Sequence, residues 1–233
     1  MHVFSVRYRC ERYTHMMFTL VSKLTFSVSV RALRGGRLSM EDEFVVVNGG
    51  RLSAVFDGHG GGGVSQYLRD RLHIIISEQL QQQEIAQKPG KFKRMLKGLS
   101  GNKKRAQSEG DDSTQDSVKQ SSKKYDISRL GQLPIHSVTK ALKNSFDQID
   151  KEILKNDEYE YQGSTAVATV LHEASDGTRT LLSANVGDSR AVLSRKGRAV
   201  ELTRDHKPND DREKARILAM GEKIEWDHYC KVQ

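Results

Sequence analysis

The chain has 233 residues, enough for one sizeable domain with a core, yet only 36% of them are hydrophobic and the mean hydropathy is −0.63, so part of the length is not expected to pack. Two cysteines exclude a disulfide framework and fit a reducing compartment; no uninterrupted apolar run of about 18 residues is present to make a membrane-spanning helix. The formal charge of +8 is concentrated in residues 1–40 and 84–132, so the pI near 9.4 describes a leader and an insert around a net acidic remainder.

Residues 1–23 form the expected leader. Residues 1–20 are rich in Arg and aromatics with only Glu11 acidic, which suits an unstructured start or a weak organelle transit sequence. The corresponding location is cytoplasmic or nuclear, with a mitochondrial address as the alternative. Leu24, Phe26, Val28 and Val30 then alternate with Thr25, Ser27, Ser29 and Arg31, the period of a half-buried strand. After a Gly35-Gly36 turn comes Arg37-Leu38-Ser39-Met40-Glu41-Asp42, then a strand over Phe44 to Val47. Asn48-Gly49-Gly50 predicts a hairpin turn into a buried strand from Arg51 to Asp57.

At the end of that strand stand Asp57, Gly58 and His59, followed by a glycine run and a helical pattern from Val64 to about Gln83. Taken alone, D-G-H is also an ordinary turn. Gly58, Gly60 and Gly63 fit the G-x-G-x-x-G spacing of a dinucleotide-binding turn, but Asp57 would set a carboxylate against the pyrophosphate. The acidic residue needed about 20 positions on is Glu78, inside the helical run rather than at a strand end. A divalent cation on Asp57, with phosphate held by the cation, removes that repulsion.

Lys88 to Arg105 carries eight basic residues and no acid, and Ser, Gln, Asp and Lys dominate through Ser122, so residues 85–132 read as a low-complexity insert. Such a run is a solvated loop, a nuclear signal, or a contact for an anionic partner such as nucleic acid or a membrane surface. Order resumes at Pro134. Ile135, Val138, Leu142, Phe146, Ile149 and Ile153 mark an amphipathic helix, and strands follow at Thr165 to Leu171, Thr180 to Val186, Arg190 to Ser194 and Ala199 to Leu202. Asp211 to Met220 is a last helix, stopped by Gly221. Strands, two helices and a meander of strands imply an α+β layered sandwich.

Acidic positions therefore fall at strand ends or tight turns: Glu41 and Asp42, Asp57, and Asp188. Oxygen donors of this kind suit Mg²⁺ or Mn²⁺, and two such ions can activate a water for in-line attack on phosphorus. Arg37 is placed to fork two phosphate oxygens, and His59 to give a proton to the leaving oxygen.

With these residues in hand, the chain resembles the metal-dependent (PPM, type 2C) protein serine/threonine phosphatases. The resemblance rests on R-x-x-M-E-D at Arg37–Asp42, F-D-G-H-G-G at Phe56–Gly61, G-S-T-A at Gly163–Ala166, N-V-G-D-S-R at Asn185–Arg190 and D-H-K-P at Asp205–Pro208, in the family's order. It implies a four-layer α-β-β-α sandwich over residues 24–233, interrupted by the insert. It also implies that Asp57 bridges two metal ions, that Glu41 and the Gly58 carbonyl complete one of them, and that Asp188 helps a third. Arg37 would bind phosphate and His59 would be the general acid, acting on phosphorylated proteins as a monomer. The family's two further metal aspartates, in a D-G-[aliphatic]-[aromatic]-D strand end and a D-N pair, have no counterpart before Gln233, so the expected domain is incomplete at its C-terminus and the expected site short of carboxylates. The alternative function is phosphoprotein binding without catalysis.

Overall fold

A computed structural model describes residues 5–10, 24–87 and 133–224 of the chain. Its centre is a four-stranded antiparallel sheet in the order β3-β4-β7-β8, formed by Glu43–Val47, Leu52–Phe56, Ala166–Glu173 and Arg179–Val186. Two long helices, α1 (Gly63–Gln87) and α2 (Ile135–Ile153), pack on each other, and α1 also lies against β3 and β4. This is the α+β arrangement that the order of elements implies. Of its layers, the described residues supply one helical layer and the sheet beneath it.

Alternation decides which face of the sheet is covered. Leu52, Ala54 and Phe56 are buried along β4, while Ser53 and Val55 between them are half-buried. The buried set joins Val64, Leu68, Leu72, Ile75, Ile76 and Leu80 of α1 and Val138, Ala141, Leu142 and Ile149 of α2 in one core. Those helix residues recur every three or four positions, so one stripe of each helix meets the other and the sheet. Full burial of Phe56 alone is worth roughly 2–3 kcal/mol. Polar groups on the seam are paired: Gln79 Nε2 donates to Gln148 Oε1 at 3.0 Å, and Ser145 Oγ to the Ala141 carbonyl at 2.7 Å. Asn48–Gly50 forms a one-turn 3-10 helix between β3 and β4, where a hairpin turn was expected.

Two boundaries differ from those read in the sequence. Ser5–Cys10 is a strand, β1, antiparallel to β2 (Leu24–Ser29), within residues 1–23, the expected leader read as an unstructured start or a weak transit sequence. Val6, Tyr8 and Cys10 alternate with Ser5, Arg7 and Arg9, a strand period masked by the charge of the stretch. Helix α1 continues to Gln87, so residues 85–87 belong to it and not to the insert; Gln87 Nε2 donates to Ser137 Oγ at 2.9 Å, tying the helix end to α2. The remainder of the expected insert lies outside the described residues. No helix among the described residues is long and apolar enough to cross a membrane.

Beyond the central sheet, a two-residue pair joins β5 (Gly58–His59) to β6 (Gly163–Ser164), and among the described residues β9 (Val192–Arg195) pairs only with β10 (Arg198–Glu201). Helix α3 (Asp211–Ala219) is capped by Asp210, whose Oδ1 accepts from the N–H groups of Arg212 and Glu213 at 3.1 and 3.3 Å. It ends in a Schellman pattern, with Glu222 N–H on the Ile217 carbonyl and Gly221 N–H on the Leu218 carbonyl.

Candidate phosphate and metal site

The site is built where β4 leaves the sheet. The β3–β4 register pairs Glu43 with Phe56, and one step further along it brings Asp42 opposite Asp57. The two side chains share a hydrogen bond. Burial pushes the Asp57 carboxyl above the usual carboxylate range, the Asp42 charge and hydrogen bond add to this, and Asp188 adds more; Arg37 opposes it. Both the Asp42–Asp57 hydrogen bond and the field of Asp188 and Arg37 thus converge on one half-buried carboxyl. Two carboxylates that close repel unless a proton or a cation lies between them.

Glu41 reaches the same place from the chain entering β3. Its Oε1 accepts from Ser39 Oγ at 2.8 Å and its Oε2 from the Gly61 N–H at 3.4 Å, while its carbonyl accepts from the fully buried Ser65 Oγ at 2.5 Å. Gly58 lies against this junction: a Cβ there would meet the Glu41 carbonyl oxygen and the Ser65 hydroxyl at the start of α1. Only hydrogen at that position lets the Gly58 backbone come so close.

His59 follows on β5 and pairs with Gly163 of β6. Its ring rests on Gly163, where any side chain would run into Nε2. Burial lowers the imidazole pKa below its ordinary value, against the upward pull of Asp57, Glu41 and Asp188. Arg37 stands on an exposed turn within the field of Asp57. Asp188 is half exposed and faces Lys207 Nζ at 3.6 Å. The loop that holds Asp188 is pinned from several sides. Asn185 Nδ2 donates to the Gly187 and Arg204 carbonyls, the His206 N–H donates to the Gly187 carbonyl, and Arg190 grips Asp205 with two bonds of 2.9 and 2.8 Å.

All seven residues singled out in the sequence (Arg37, Glu41, Asp42, Asp57, Gly58, His59 and Asp188) therefore lie at one end of the sheet. Three others were not given roles. Thr165 bonds the Asp57 backbone through its own N–H and hydroxyl, and its hydroxyl meets Ser189 Oγ at 2.5 Å. Gln162 Oε1 accepts from the Gly63 N–H at 2.8 Å, which fills the helix N-terminus that a dinucleotide pyrophosphate would need. The G-S-T-A and N-V-G-D-S-R motifs contained the first two of these, and the Gln immediately before G-S-T-A the third.

In kind, the donors fit a hard divalent cation: they are carboxylates and backbone carbonyls, and the negative charges of Asp42 and Asp188 converge on Asp57. Among the described residues no three His, Cys, Asp or Glu side chains already converge on one point.

The chain is similar to known proteins. The sequence model of the family described as Protein phosphatase 2C matches residues 105–232, more than half of the chain. A rice (Oryza sativa subsp. japonica) protein named Probable protein phosphatase 2C 8 is 32% identical over 181 residues, covering 76% of this chain and 35% of its own length. Protein phosphatase 2C homolog 3 of Schizosaccharomyces pombe is 47% identical over 81 residues, covering 35% of this chain and 19% of its own length. The chain thus spans about a third or less of these curated relatives. Among solved structures, a crystal structure of serine-threonine phosphatase 2C from Toxoplasma gondii covers 97% of this chain and 62% of its own, at 21% identity and a TM-score of 0.44.

Proposed function

Because the chain belongs to the protein phosphatase 2C family, we propose that its catalytic end hydrolyses phosphoserine and phosphothreonine in phosphorylated proteins, with Mg²⁺ or Mn²⁺ as cofactor. The observation that carries this is the shared hydrogen bond of Asp42 and Asp57 with the Asp57 carboxyl held above its ordinary range, an acidic pair that a cation would relieve. Asp57 would be the central ligand, with Glu41, the Gly58 carbonyl, Asp42 and Asp188 around it. Bound there, the ions would supply a water activated for in-line attack on phosphorus.

The chain's own groups divide the remaining work. Arg37, exposed and close to Asp57, binds two phosphate oxygens in the plane of its guanidinium. His59, whose ring rests on Gly163, is the group that would give a proton to the leaving serine or threonine oxygen. Thr165 and Ser65 keep Asp57 and Glu41 in register. Hydrolysis of a phosphothreonine peptide that requires Mn²⁺, and that falls at least a hundredfold in Asp57→Asn, is the expected result; turnover indifferent to EDTA would refute the role of the metal.

A second possibility is capture of phosphoproteins without turnover. It is favoured by the ion pair of Asp188 with Lys207 and by the lack of three converged ligands among the described residues. It requires phosphopeptide binding that is lost in Arg37→Ala and no release of phosphate at any Mn²⁺ concentration.

A further inference from the structure

The β9–β10 hairpin breaks a local rule. Its register sets Arg195 directly opposite Arg198, and like charges facing each other across antiparallel strands destabilise the pair. Lys196 lies between them in a two-residue turn, with φ of 53° at Lys196 and 77° at Gly197, the backbone of a type I′ hairpin. Residues 195–198 are all exposed. At the root of the hairpin the cations are balanced: Arg190 faces Asp205 and Glu201, Arg204 faces Asp210, and Lys207 faces Asp188 and Asp205. At its tip, among the described residues, no ion pair reaches Arg195, Lys196 or Arg198. Stability is spent there on three clustered positive charges, a local inconsistency of the kind found at functional surfaces.

The same face continues into apolar surface. Leu193 and Val200 are cross-strand partners two residues from the arginines, hence on their side of the hairpin, and Val200 is 39% exposed. Both strands pair only with each other among the described residues, so either outer edge offers free backbone groups. We propose that this face of the hairpin docks an extended acidic segment of a partner protein, its carboxylates on Arg195, Lys196 and Arg198 and an apolar side chain on Val200. An extended peptide uses both the free edge and the alternation of charged and apolar positions. Nucleic acid uses neither, and holding it at physiological salt takes more phosphate contacts than three cations supply. The docking surface does not include Arg37 and stands apart from the proposed phosphate chemistry.

The test is fluorescence anisotropy with a labelled peptide of repeating Glu-Thr-Val-Thr, which in extended form carries Glu and Val in turn on one face, titrated with the 233-residue chain; the matching Lys/Val peptide has Lys in place of each Glu. Binding is expected to weaken with added salt, to fall at least tenfold in Arg198→Glu, to be unchanged in Arg37→Ala, and to be absent for the matching Lys/Val peptide. Arg198→Glu replaces a repulsive cross-strand pair by an attractive one, so this variant should melt no lower than the wild type while it loses the peptide. Arg195→Gln, which removes one charge without adding an acid, should also weaken binding. Absence of binding, equal binding of the Lys/Val peptide, or binding that survives both substitutions would overturn the proposal; in the last case the peptide sits elsewhere, as on the basic run at residues 88–105. Tighter capture of a single-stranded RNA oligonucleotide or of phosphatidylserine vesicles, abolished by Arg198→Glu, would overturn the choice of partner.

Discussion

Thr165 holds Asp57 from both sides of its backbone: the Asp57 N–H donates to Thr165 Oγ1 at 3.2 Å, and the Thr165 N–H donates to the Asp57 carbonyl at 2.9 Å. Because the same hydroxyl meets Ser189 Oγ at 2.5 Å, one side chain ties the end of β4 to the loop that carries Asp188. Thr165→Val keeps the shape and deletes the hydroxyl, leaving a half-buried N–H without its acceptor. A loss of about 1–2 kcal/mol is expected by denaturant unfolding. Hydrogen exchange at the Asp57 amide should speed up in the same variant. Wild-type exchange at that amide would mean that the hydroxyl does not hold the strand end.

Gly58→Ala is predicted to damage the site from the backbone side. The added methyl group meets the Glu41 carbonyl, which belongs to the chain entering β3 and cannot swing aside as a side chain would. Overpacking of this kind costs about 1–3 kcal/mol. It should also shift the backbone at Glu41, visible as chemical-shift changes across residues 39–43. A variant with unperturbed stability and spectra would contradict the close approach of the two segments.

Ser65→Ala addresses the same junction from α1. Ser65 is fully buried, and its hydroxyl donates to the Glu41 carbonyl at 2.5 Å with the Gly62 carbonyl at 3.1 Å. Removing the donor leaves the Glu41 carbonyl unpaired, at a cost of about 1–3 kcal/mol. Ser65→Cys, which restores a weak donor, should recover part of the loss.

Stability should depend on pH through Glu173. The Arg51 hydrogen bond holds its carboxyl below the ordinary glutamate value, aided by Arg179 and opposed by burial. A carboxyl with a depressed folded-state pKa stabilises the fold above the unfolded value near 4.3, and the contribution fades as pH falls through the folded one. Glu173→Gln should therefore unfold about 1 kcal/mol more easily at neutral pH. The gap to wild type should close as the pH drops below the carboxylate range. A gap that is constant with pH would place the effect in packing instead of charge.

Much of this could be read from the chain because local period and site chemistry coincide. Leu52, Ala54 and Phe56 announce a strand buried on one face, and the carboxylate and imidazole at its end follow without a break. The α1 and α2 stripes are equally plain, since their apolar residues recur at helical spacing. What stayed hidden depends on contacts between distant segments. Thr165 lies 108 positions from Asp57, and nothing local in G-S-T-A says that its hydroxyl will accept the Asp57 N–H. Gln162 caps α1 from 99 residues away, and Lys207 meets Asp188 only because the 202–206 stretch folds back on the Asn185–Gly187 segment. β1 is obscured for a different reason: its arginines make the stretch read as charged although Val6, Tyr8 and Cys10 alternate along it.

The central claim is that the acidic pair at the end of β4 takes up a hard divalent cation. Calorimetric titration of the 233-residue chain with Mn²⁺ tests it most directly. With Asp42 beside it and Asp188 adding to the negative field, Asp57 should bind one Mn²⁺ with modest affinity, and Asp57→Asn should abolish that heat. No Mn²⁺ binding by the wild-type chain, or binding of the same affinity in Asp57→Asn, would contradict it.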